Sequence, residues 1–473
     1  MTLPASLKLR RTSRLSAIAI ALAVTLASAS AQLVGRSPGA GRQAAAPARL
    51  SVPVTMFTLA NGLTVILHED HSVPVVAVNV WYHVGSAREK PGRTGFAHLF
   101  EHILFEGSKH VKEGEFDTLL EAAGGSNNGS TTEDRTNYYE SMPSNALDLA
   151  LFLESDRMGY LLDVVTPQLV DGQRDVVKNE RRQSYENAPY GMAQIRMTEL
   201  MYPKDHPYRW PVIGYMEDLT AATHEDVIEF FRQYYTPANA SLVVAGDINP
   251  AEARKKVEHW FSDVKAGPKP APLVVKPAEM SGVVRETMTD RVQLPRLYLS
   301  WHTPALYEPG DAELDVLSGV LGGSKNSRLY KRLVYELQLA QDVAAFQGSQ
   351  RHGSRYTIIV TARPSADPPE KTMERIKQIV DEEIEKLRQA PPDAREVDRV
   401  KNGVEASFLS QMEVVSSKAD QLNAYFFATG KPDYFAADLD RYRRVQPADV
   451  QAAVRRWLPA DKRLELTVLP AGK

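Results

Sequence analysis

The chain has 473 residues, of which 43% are hydrophobic and 24% are charged, a composition typical of a folded protein with more than one domain. It contains no cysteine, which excludes disulfides, thiolate metal sites and cysteine nucleophiles. The formal net charge is −3. Several basic residues lie close together near the N-terminus.

The N-terminus has the anatomy of a targeting segment. Four basic residues precede an apolar run over residues 15–27, and a small-x-small cleavage pattern, Ala29-Ser30-Ala31, follows. We therefore predict a secretory signal peptide over residues 1–31, too short for a transmembrane helix, and a periplasmic or secreted protein without a stable membrane anchor. Cleavage would leave 52 basic and 59 acidic residues, and this net charge of −7 argues against nucleic acid as a partner.

A mitochondrial transit peptide, and so the mitochondrial matrix, is the alternative for this segment. Residues 1–50 contain no Asp or Glu and are rich in Ser and Arg, as transit peptides are. The uninterrupted apolar run favours secretion. Residues 32–50 are rich in Gly, Ala and Pro with little periodicity, and we predict a flexible leader there.

The folded part is predicted to begin near Val52 with a β-hairpin. Asn61-Gly62 stands between two apolar runs, which is a strong hairpin signal. The Val-rich stretch over residues 75–84, with Trp81 and Tyr82, is typical of a central strand.

A short apolar helix follows, with Thr94 or Gly95 as its N-cap. It carries His98, Glu101 and His102 in the His-x-x-Glu-His spacing of inverted zinc peptidases. Residues i and i+4 share a helix face, so the two imidazoles can bind one metal ion with Glu101 beside it. Two neutral imidazoles suit Zn²⁺, and a nearby carboxylate can accept a proton from water. The alternative is a chance grouping, but burying these residues without a metal would leave unsatisfied polar groups.

The rest of this half alternates helices and strands. A Thr- and Tyr-rich stretch over residues 126–139 is predicted as one polar-faced strand at a sheet edge. Thr166-Pro167 is a typical helix start, with Thr as N-cap and Pro at the first helical position. Helices are predicted over residues 116–123, 146–158, 167–185 and 222–235, and a buried strand over residues 240–245.

Four prolines within residues 263–281 predict a semi-rigid linker between a metal-binding domain over residues 51–262 and a second domain over residues 282–473. Strand and helix signals recur at an offset of 217 to 223 residues. We therefore predict an α+β protein in which one αβ fold of about 210 residues, a mixed sheet flanked by helices, is used twice. In the second copy the motif positions hold Asp315, Ser318 and Gly319, so only the first copy can hold a metal. Two unrelated α+β domains are the alternative.

Zinc needs a third protein ligand, and the helix that begins at Pro167 offers Glu180 and Glu186. Gln173 lies two turns before Glu180 and shares its helix face. Residue types and spacing leave the choice between the two glutamates open.

His98-x-x-Glu101-His102, followed by the run Arg174–Glu180, resembles the pitrilysin, insulin-degrading and mitochondrial-processing peptidase family of zinc metallopeptidases. The resemblance implies that His98, His102 and Glu180 bind one Zn²⁺ per chain and that Glu101 activates the attacking water. Relatives often carry a second Glu where this chain has Gln173, whose amide is expected to hydrogen-bond near the ligands and tune the site.

The resemblance also implies how peptides bind. Family members bind substrate as a strand added to a sheet edge, and the matching residues here are Asn128, Gly129, Thr131 and Tyr138. Gly129 stands where the family usually has Ala. Pairing of this kind reads the peptide main chain, so broad side-chain specificity is expected.

Double-length relatives carry an Arg and a Tyr in the second half that stabilise the oxyanion, and the corresponding positions here hold Val334 and Gln341. The chain therefore resembles the catalytic-type subunit of the two-subunit branch. That likeness implies a homo- or heterodimer whose related partner supplies the pair and closes a clam-shell over the peptide.

Two functions follow from these observations. The first is a zinc-dependent endopeptidase that hydrolyses short or unfolded peptides, supported by the complete motif. The second is a non-catalytic peptide-binding or assembly scaffold of the same fold, supported by the missing Arg and Tyr.

Overall fold

The computed structural model describes residues 50–471, so the predicted signal peptide and nearly all of the predicted leader lie outside the described residues. The described part confirms an α+β protein with two mixed sheets and flanking helices. The strands are β1 (Thr55–Thr58), β2 (Thr64–Glu69), β3 (Val75–Tyr82), β4 (Ser126–Thr131), β5 (Thr136–Pro143), β6 (Ala240–Gly246), β7 (Val284–Asp290), β8 (Arg296–Thr303), β9 (Ala340–Gly348), β10 (Ser354–Ala362) and β11 (Leu464–Pro470). The α-helices are α1 (Phe96–Ile103), α2 (Glu115–Ala122), α3 (Leu147–Tyr160), α4 (Pro167–Arg181), α5 (Gly191–Met201), α6 (Met216–Ala221), α7 (His224–Tyr234), α8 (Pro250–Phe261), α9 (Asp311–Leu321), α10 (Pro369–Gln389), α11 (Ala394–Met412), α12 (Val415–Thr429), α13 (Phe435–Arg444) and α14 (Pro447–Trp457).

The two sheets confirm the predicted duplication. The first has the order β1-β2-β6-β3-β5-β4 and the second the order β7-β11-β8-β10-β9. β2 runs parallel to β6, as β7 does to β11, and the other neighbouring pairs are antiparallel. From β2 onwards the first sheet therefore matches the second strand by strand. In both halves a helix follows the central strand, α1 after β3 and α9 after β8.

Most local signals are confirmed. β1 and β2 form the hairpin around Asn61-Gly62, β3 lies inside the sheet, and every residue of β6 is buried. The Thr166 hydroxyl accepts a hydrogen bond from the backbone N–H of Leu169, which makes Thr166 the N-cap of α4.

The stretch predicted as one edge strand is instead a hairpin of two strands, and that prediction is wrong. The hydroxyl of Thr132 accepts hydrogen bonds from the backbone N–H groups of Asp134 and Arg135, which stabilises a turn. β4 is the edge strand, whereas β5 lies between β4 and β3. Tyr138 on β5 is consequently buried, with 0% of its surface exposed.

Each sheet is covered on one face by a helix from the other half of the chain. α12, from the second half, packs on β3 and β6 of the first sheet. This buried cluster contains Ile66, Ala77, Val243, Ala245, Val415, Ala419 and Leu422. α5, from the first half, packs on β11 of the second sheet, and that cluster contains Ala193, Met197, Tyr298, Leu464 and Leu466. Neither sheet therefore completes its core without the other half.

Candidate metal centre

The motif helix α1 is anchored in the core by one face. Leu99, Phe100 and Ile103 are fully buried beneath it. Gly95 is the N-cap at φ 90°, a left-handed conformation that favours glycine, and it has no side chain with which to cap the helix. The buried carboxylate of Glu89 accepts hydrogen bonds from the N–H groups of Gly95 (2.9 Å) and Ala97 (2.8 Å) instead. The opposite face of α1 carries the motif residues.

The structure brings His98, His102 and Glu180 together between α1 and α4. Nε2 of His102 lies 3.2 Å from Oε2 of Glu180, and Nε2 of His98 lies 3.7 Å from the same oxygen. Their ligand atoms all lie within 4.8 Å of one another. A tetrahedral ion with bonds of about 2.1 Å has ligand atoms about 3.4 Å apart, so the spacing fits zinc.

The other sequence candidate, Glu186, points elsewhere. It lies in a π-helical turn, Arg182–Glu186, that continues α4, and its carboxylate is paired with Arg181. Among the described residues, His98, His102 and Glu180 are the one group of three His, Asp or Glu side chains able to hold a metal ion. Geometry therefore selects Glu180 where sequence left two candidates.

The protonation states of His98 and Glu180 suit a metal ion. Burial lowers the pKa of His98 to about 4, so its imidazole is neutral at pH 7, the form that ligates zinc. The hydrogen bond with His102 lowers the pKa of Glu180, which keeps that carboxylate ionised. Nδ1 of His98 is buried without a hydrogen-bond partner among the described residues. Two imidazoles and one carboxylate form the donor set of several catalytic zinc sites.

Glu101 lies beside this group and is held by the edge strand. Its Oε2 accepts a hydrogen bond of 2.6 Å from the hydroxyl of Thr131 on β4. Burial raises the pKa of Glu101, which makes the carboxylate a stronger base. A Cβ atom at Gly129 would lie 3.2 Å from Cγ of Glu101 and 3.1 Å from Cε2 of Phe105. The missing side chain of Gly129 therefore leaves room for Glu101.

The remaining predicted site residues lie in three different settings. Asn128 is exposed on β4, and its side-chain oxygen accepts a hydrogen bond from the N–H of Gly129. Tyr138 lies in the core and donates to the carbonyl of Phe100, so it supports α1 from behind and presents no surface to a peptide. Gln173 lies on α4 and makes no side-chain hydrogen bond to the ligands within residues 50–471.

The edge of β4 is open for pairing. The N–H of Thr132 donates to the carbonyl of Arg135, which fixes the alternation of the antiparallel ladder. The backbone groups of Asn127, Gly129 and Thr131 therefore point away from β5, on the side where a further strand would add.

Sequence comparison places the chain in a family. The family model described as Insulinase (Peptidase family M16) matches residues 64–203, and the model described as Peptidase M16 inactive domain matches residues 221–404. The chain is 31% identical to the zinc protease PqqE of Helicobacter pylori, over 81% of this chain and 86% of that protein. The chain belongs to peptidase family M16. This confirms the family expected from the motif, and the inactive-domain match includes the region of α9, which lacks the histidines.

Two further comparisons agree. A crystal structure of a protease from Helicobacter pylori matches with a TM-score of 0.82 at 28% identity, covering 88% of this chain and 100% of that chain. A probable mitochondrial-processing peptidase subunit beta of Arabidopsis thaliana is 23% identical over 86% of this chain and 77% of that protein. Within residues 50–471 of this M16 chain, no helix is both long enough and apolar enough for a membrane span.

Proposed function

We propose that this chain is a zinc-dependent endopeptidase that hydrolyses short or unfolded peptides. His98, His102 and Glu180 would hold the ion, and Glu101 would act as the general base. The observation that carries the proposal is the convergence of the two imidazoles on Glu180, with Glu101 fixed beside them by Thr131.

The chain's own residues divide the work of hydrolysis. Zinc, when bound, polarises the scissile carbonyl and lowers the pKa of water to about 7. Glu101 takes the proton from the attacking water and returns it to the leaving amine. Thr131 holds the Glu101 carboxylate in place, and the outward backbone groups of Asn127, Gly129 and Thr131 bind the peptide as an added strand.

The proposal extends to a dimer. Val334, at one position of the expected Arg and Tyr pair, is buried in the second half, and Gln341, at the other, is exposed on β9. A related subunit or a second copy would supply the pair and close the clam-shell. The similarity to a protein described as a subunit beta supports this arrangement. We further propose a periplasmic or secreted location for this chain, with the mitochondrial matrix as the alternative.

The missing pair also supports a second candidate, a non-catalytic scaffold of the same fold. The two candidates differ in a fluorogenic peptide assay run with and without chelator, on the chain alone and with any co-purifying protein. We expect chelator-sensitive hydrolysis that falls about a thousandfold in Glu101→Gln while zinc is retained. Glu370→Gln, an exposed glutamate on α10, is the matched control and should match wild type. Undiminished hydrolysis in Glu101→Gln would exclude the proposed base, and absent hydrolysis in every preparation would favour the scaffold.

A further inference from the structure

The side chains on the two faces of β4 contact different parts of the molecule. Side chains of successive strand residues point to opposite faces. Gly129 and Thr131 face Glu101, as their contacts show. Ser130 points the other way, where its hydroxyl donates to the side-chain oxygen of Asn137 on β5 (2.6 Å). A peptide strand added to this edge would therefore also point every second side chain away from Glu101.

A polar cavity lies on that second face. It has a volume of about 470 Å³ and lies between the first sheet and α12. Its lining includes Ser130, Arg135, Asn137, Tyr139, Asp420 and Gln421.

Asp420 reaches the cavity from α12 and is held by one oxygen only. Its Oδ1 accepts hydrogen bonds from the side chains of Asn79 (3.1 Å), Trp81 (3.1 Å) and Asn137 (3.2 Å). Its Oδ2 accepts none from the described residues. The carboxylate is thus fixed in position with one acceptor unused.

Arg135 reaches the same cavity from the hairpin and is held in a similar way. Its Nη1 donates to the carbonyl and hydroxyl of Ser130 (2.8 and 2.7 Å) and to the side-chain oxygen of Asn137 (3.1 Å), and its guanidinium lies 5.0 Å from the centre of the Trp81 ring. Its Nη2 makes no hydrogen bond to the described residues. No ion pair within 4.0 Å joins Arg135 to Asp420 or to any other carboxylate in residues 50–471.

We propose that this cavity is a substrate subsite for a neutral amide side chain, Asn or Gln, of the peptide bound along β4. This inference rests on the proposed function and names a preference within it. An amide carbonyl can accept from Arg135 while the amide N–H donates to Asp420. A lysine would meet Arg135, a glutamate would meet Asp420, and a leucine would leave Oδ2 of Asp420 and Nη2 of Arg135 without hydrogen-bond partners.

The subsite predicts a preference at alternate peptide positions. A fluorogenic peptide library, with Gln, Lys, Glu or Leu at each position in turn, is assayed on the full chain with zinc and any co-purifying subunit. We expect kcat/KM for Gln to exceed that for Leu about tenfold at alternate positions and not at the positions between. Equal rates for all four residues at every position would overturn the subsite.

Two substitutions test the residues named. Asp420→Asn keeps the oxygen that accepts the three structural hydrogen bonds and replaces the unused acceptor with a donor, so the preference should shift from Gln towards Glu. Gln421→Glu leaves those hydrogen bonds unchanged and should shift the preference from Gln towards Lys. This second variant tests the subsite even if Asp420→Asn does not fold. Asp398→Asn, an exposed aspartate on α11, should leave the preference unchanged. An unaltered preference in both folded cavity variants would also overturn the subsite.

Binding separates this inference from the proposed function. The same peptides, labelled for fluorescence anisotropy, are titrated into Glu101→Gln, where hydrolysis does not interfere. Tighter binding of the Gln peptides at alternate positions supports the subsite even where wild type hydrolyses nothing. Equal binding of Gln and Leu peptides contradicts it even where wild type is an active peptidase.

Discussion

The two halves of the chain share a strand order but not a chemistry. In the first half, α1 directs His98 and His102 towards Glu180 on α4. In the second half, the matching helix α9 packs against α11, and its polar groups are used internally. Asp315 accepts a hydrogen bond from the hydroxyl of Tyr442 (2.8 Å).

In the second half, the position that matches His102 is Gly319, which has no side chain and no room for one. Arg399 on α11 donates to the carbonyl of Gly319 (3.2 Å), so the side chain that contacts this part of α9 is a guanidinium and not a carboxylate. A Cβ at Gly319 would lie 2.6 Å from the side chain of Val400. The fold supplies two facing helices in each half, while the residue types on those helices decide whether a metal ion can bind.

Separating the halves should have the largest effect. Residues 51–262 expressed alone lose α12, which exposes Ile66, Ala77, Val243 and Ala245 on the first sheet. Each larger apolar side chain left exposed costs about 1.5–3 kcal/mol. We expect no cooperative thermal unfolding by circular dichroism, and rescue when residues 282–471 are co-expressed. Cooperative unfolding of the monomeric fragment 51–262 would contradict the conclusion that the first sheet needs α12 from the other half to complete its core.

The next largest effect is expected from removing the glutamates that cap the two matching helices, α1 and α9. Glu89 reaches α1 from outside the helix, whereas Glu313 caps α9 from within it, accepting from the N–H of Gly310 (3.0 Å). Glu89→Ala leaves two buried N–H groups unpaired and should lower the free energy of unfolding by about 2–4 kcal/mol. Glu313→Ala should cost about 1 kcal/mol. Urea unfolding measures the free energy of unfolding of both variants. Equal losses would contradict a larger contribution from Glu89 than from Glu313.

Each of the two covering helices forms an ion pair with the half of the chain that it covers. Lys418 on α12 pairs with Asp70, and Arg196 on α5 donates two hydrogen bonds to Glu286. Lys418 is buried, whereas the Arg196 side chain is 40% exposed. Asp70→Asn should therefore destabilise the protein by about 1 kcal/mol at pH 7, more than Glu286→Gln does.

The same aspartate gives a pH dependence with a defined sign. The hydrogen bond from Lys418 lowers the pKa of Asp70 well below its ordinary value of 3.8. A lowered folded-state pKa adds stability above the ordinary value, and this stability is lost as the pH falls towards the lowered one. Urea titrations at about pH 5 and about pH 3 should give a larger drop for wild type than for Asp70→Asn. Equal drops in the free energy of unfolding of wild type and Asp70→Asn would show that Asp70 does not cause the loss of stability in acid.

The smallest expected effect concerns the glycine beside the base. Gly129→Ala puts a methyl group within 3.2 Å of Glu101 and should reduce kcat a few-fold, with little change in KM, because the carboxylate must shift. Gly172→Ala is the matched control, since beyond its chain neighbours and the backbone of its own helix no atom lies within 4 Å of the added Cβ. That control should leave kcat unchanged and stabilise α4 by about 0.5–1 kcal/mol. Equal kcat values for Gly129→Ala and Gly172→Ala would contradict the prediction that a side chain at position 129 displaces Glu101.

Sequence predicted the parts of this molecule that depend on local pattern. Helical spacing placed His98, Glu101 and His102 on one helix, and signals repeated at a nearly constant offset predicted two similar halves. The turn at Thr132 was missed because it contains no Gly, Pro or Asn and is stabilised by a threonine hydroxyl. The choice of Glu180 over Glu186 needed the family resemblance, since both lie near the end of one helix.

Long-range contacts were beyond sequence reasoning. Alternation identifies the apolar face of a strand but does not say that α12, far along the chain, covers it. Glu89 gave one weak signal, an acidic residue shortly before a helix that starts with glycine. Asp420 gave none, because its partners Asn79, Trp81 and Asn137 lie on distant strands.

Metal analysis of two glutamate variants tests whether His98, His102 and Glu180 together bind zinc. Purified chain, dialysed against trace zinc, is measured by inductively coupled plasma mass spectrometry as wild type, Glu180→Gln and Glu186→Gln. We expect about one zinc per chain in wild type and in Glu186→Gln, and a large loss in Glu180→Gln. Wild type without zinc, or a loss of zinc in Glu186→Gln but not in Glu180→Gln, would contradict this expectation.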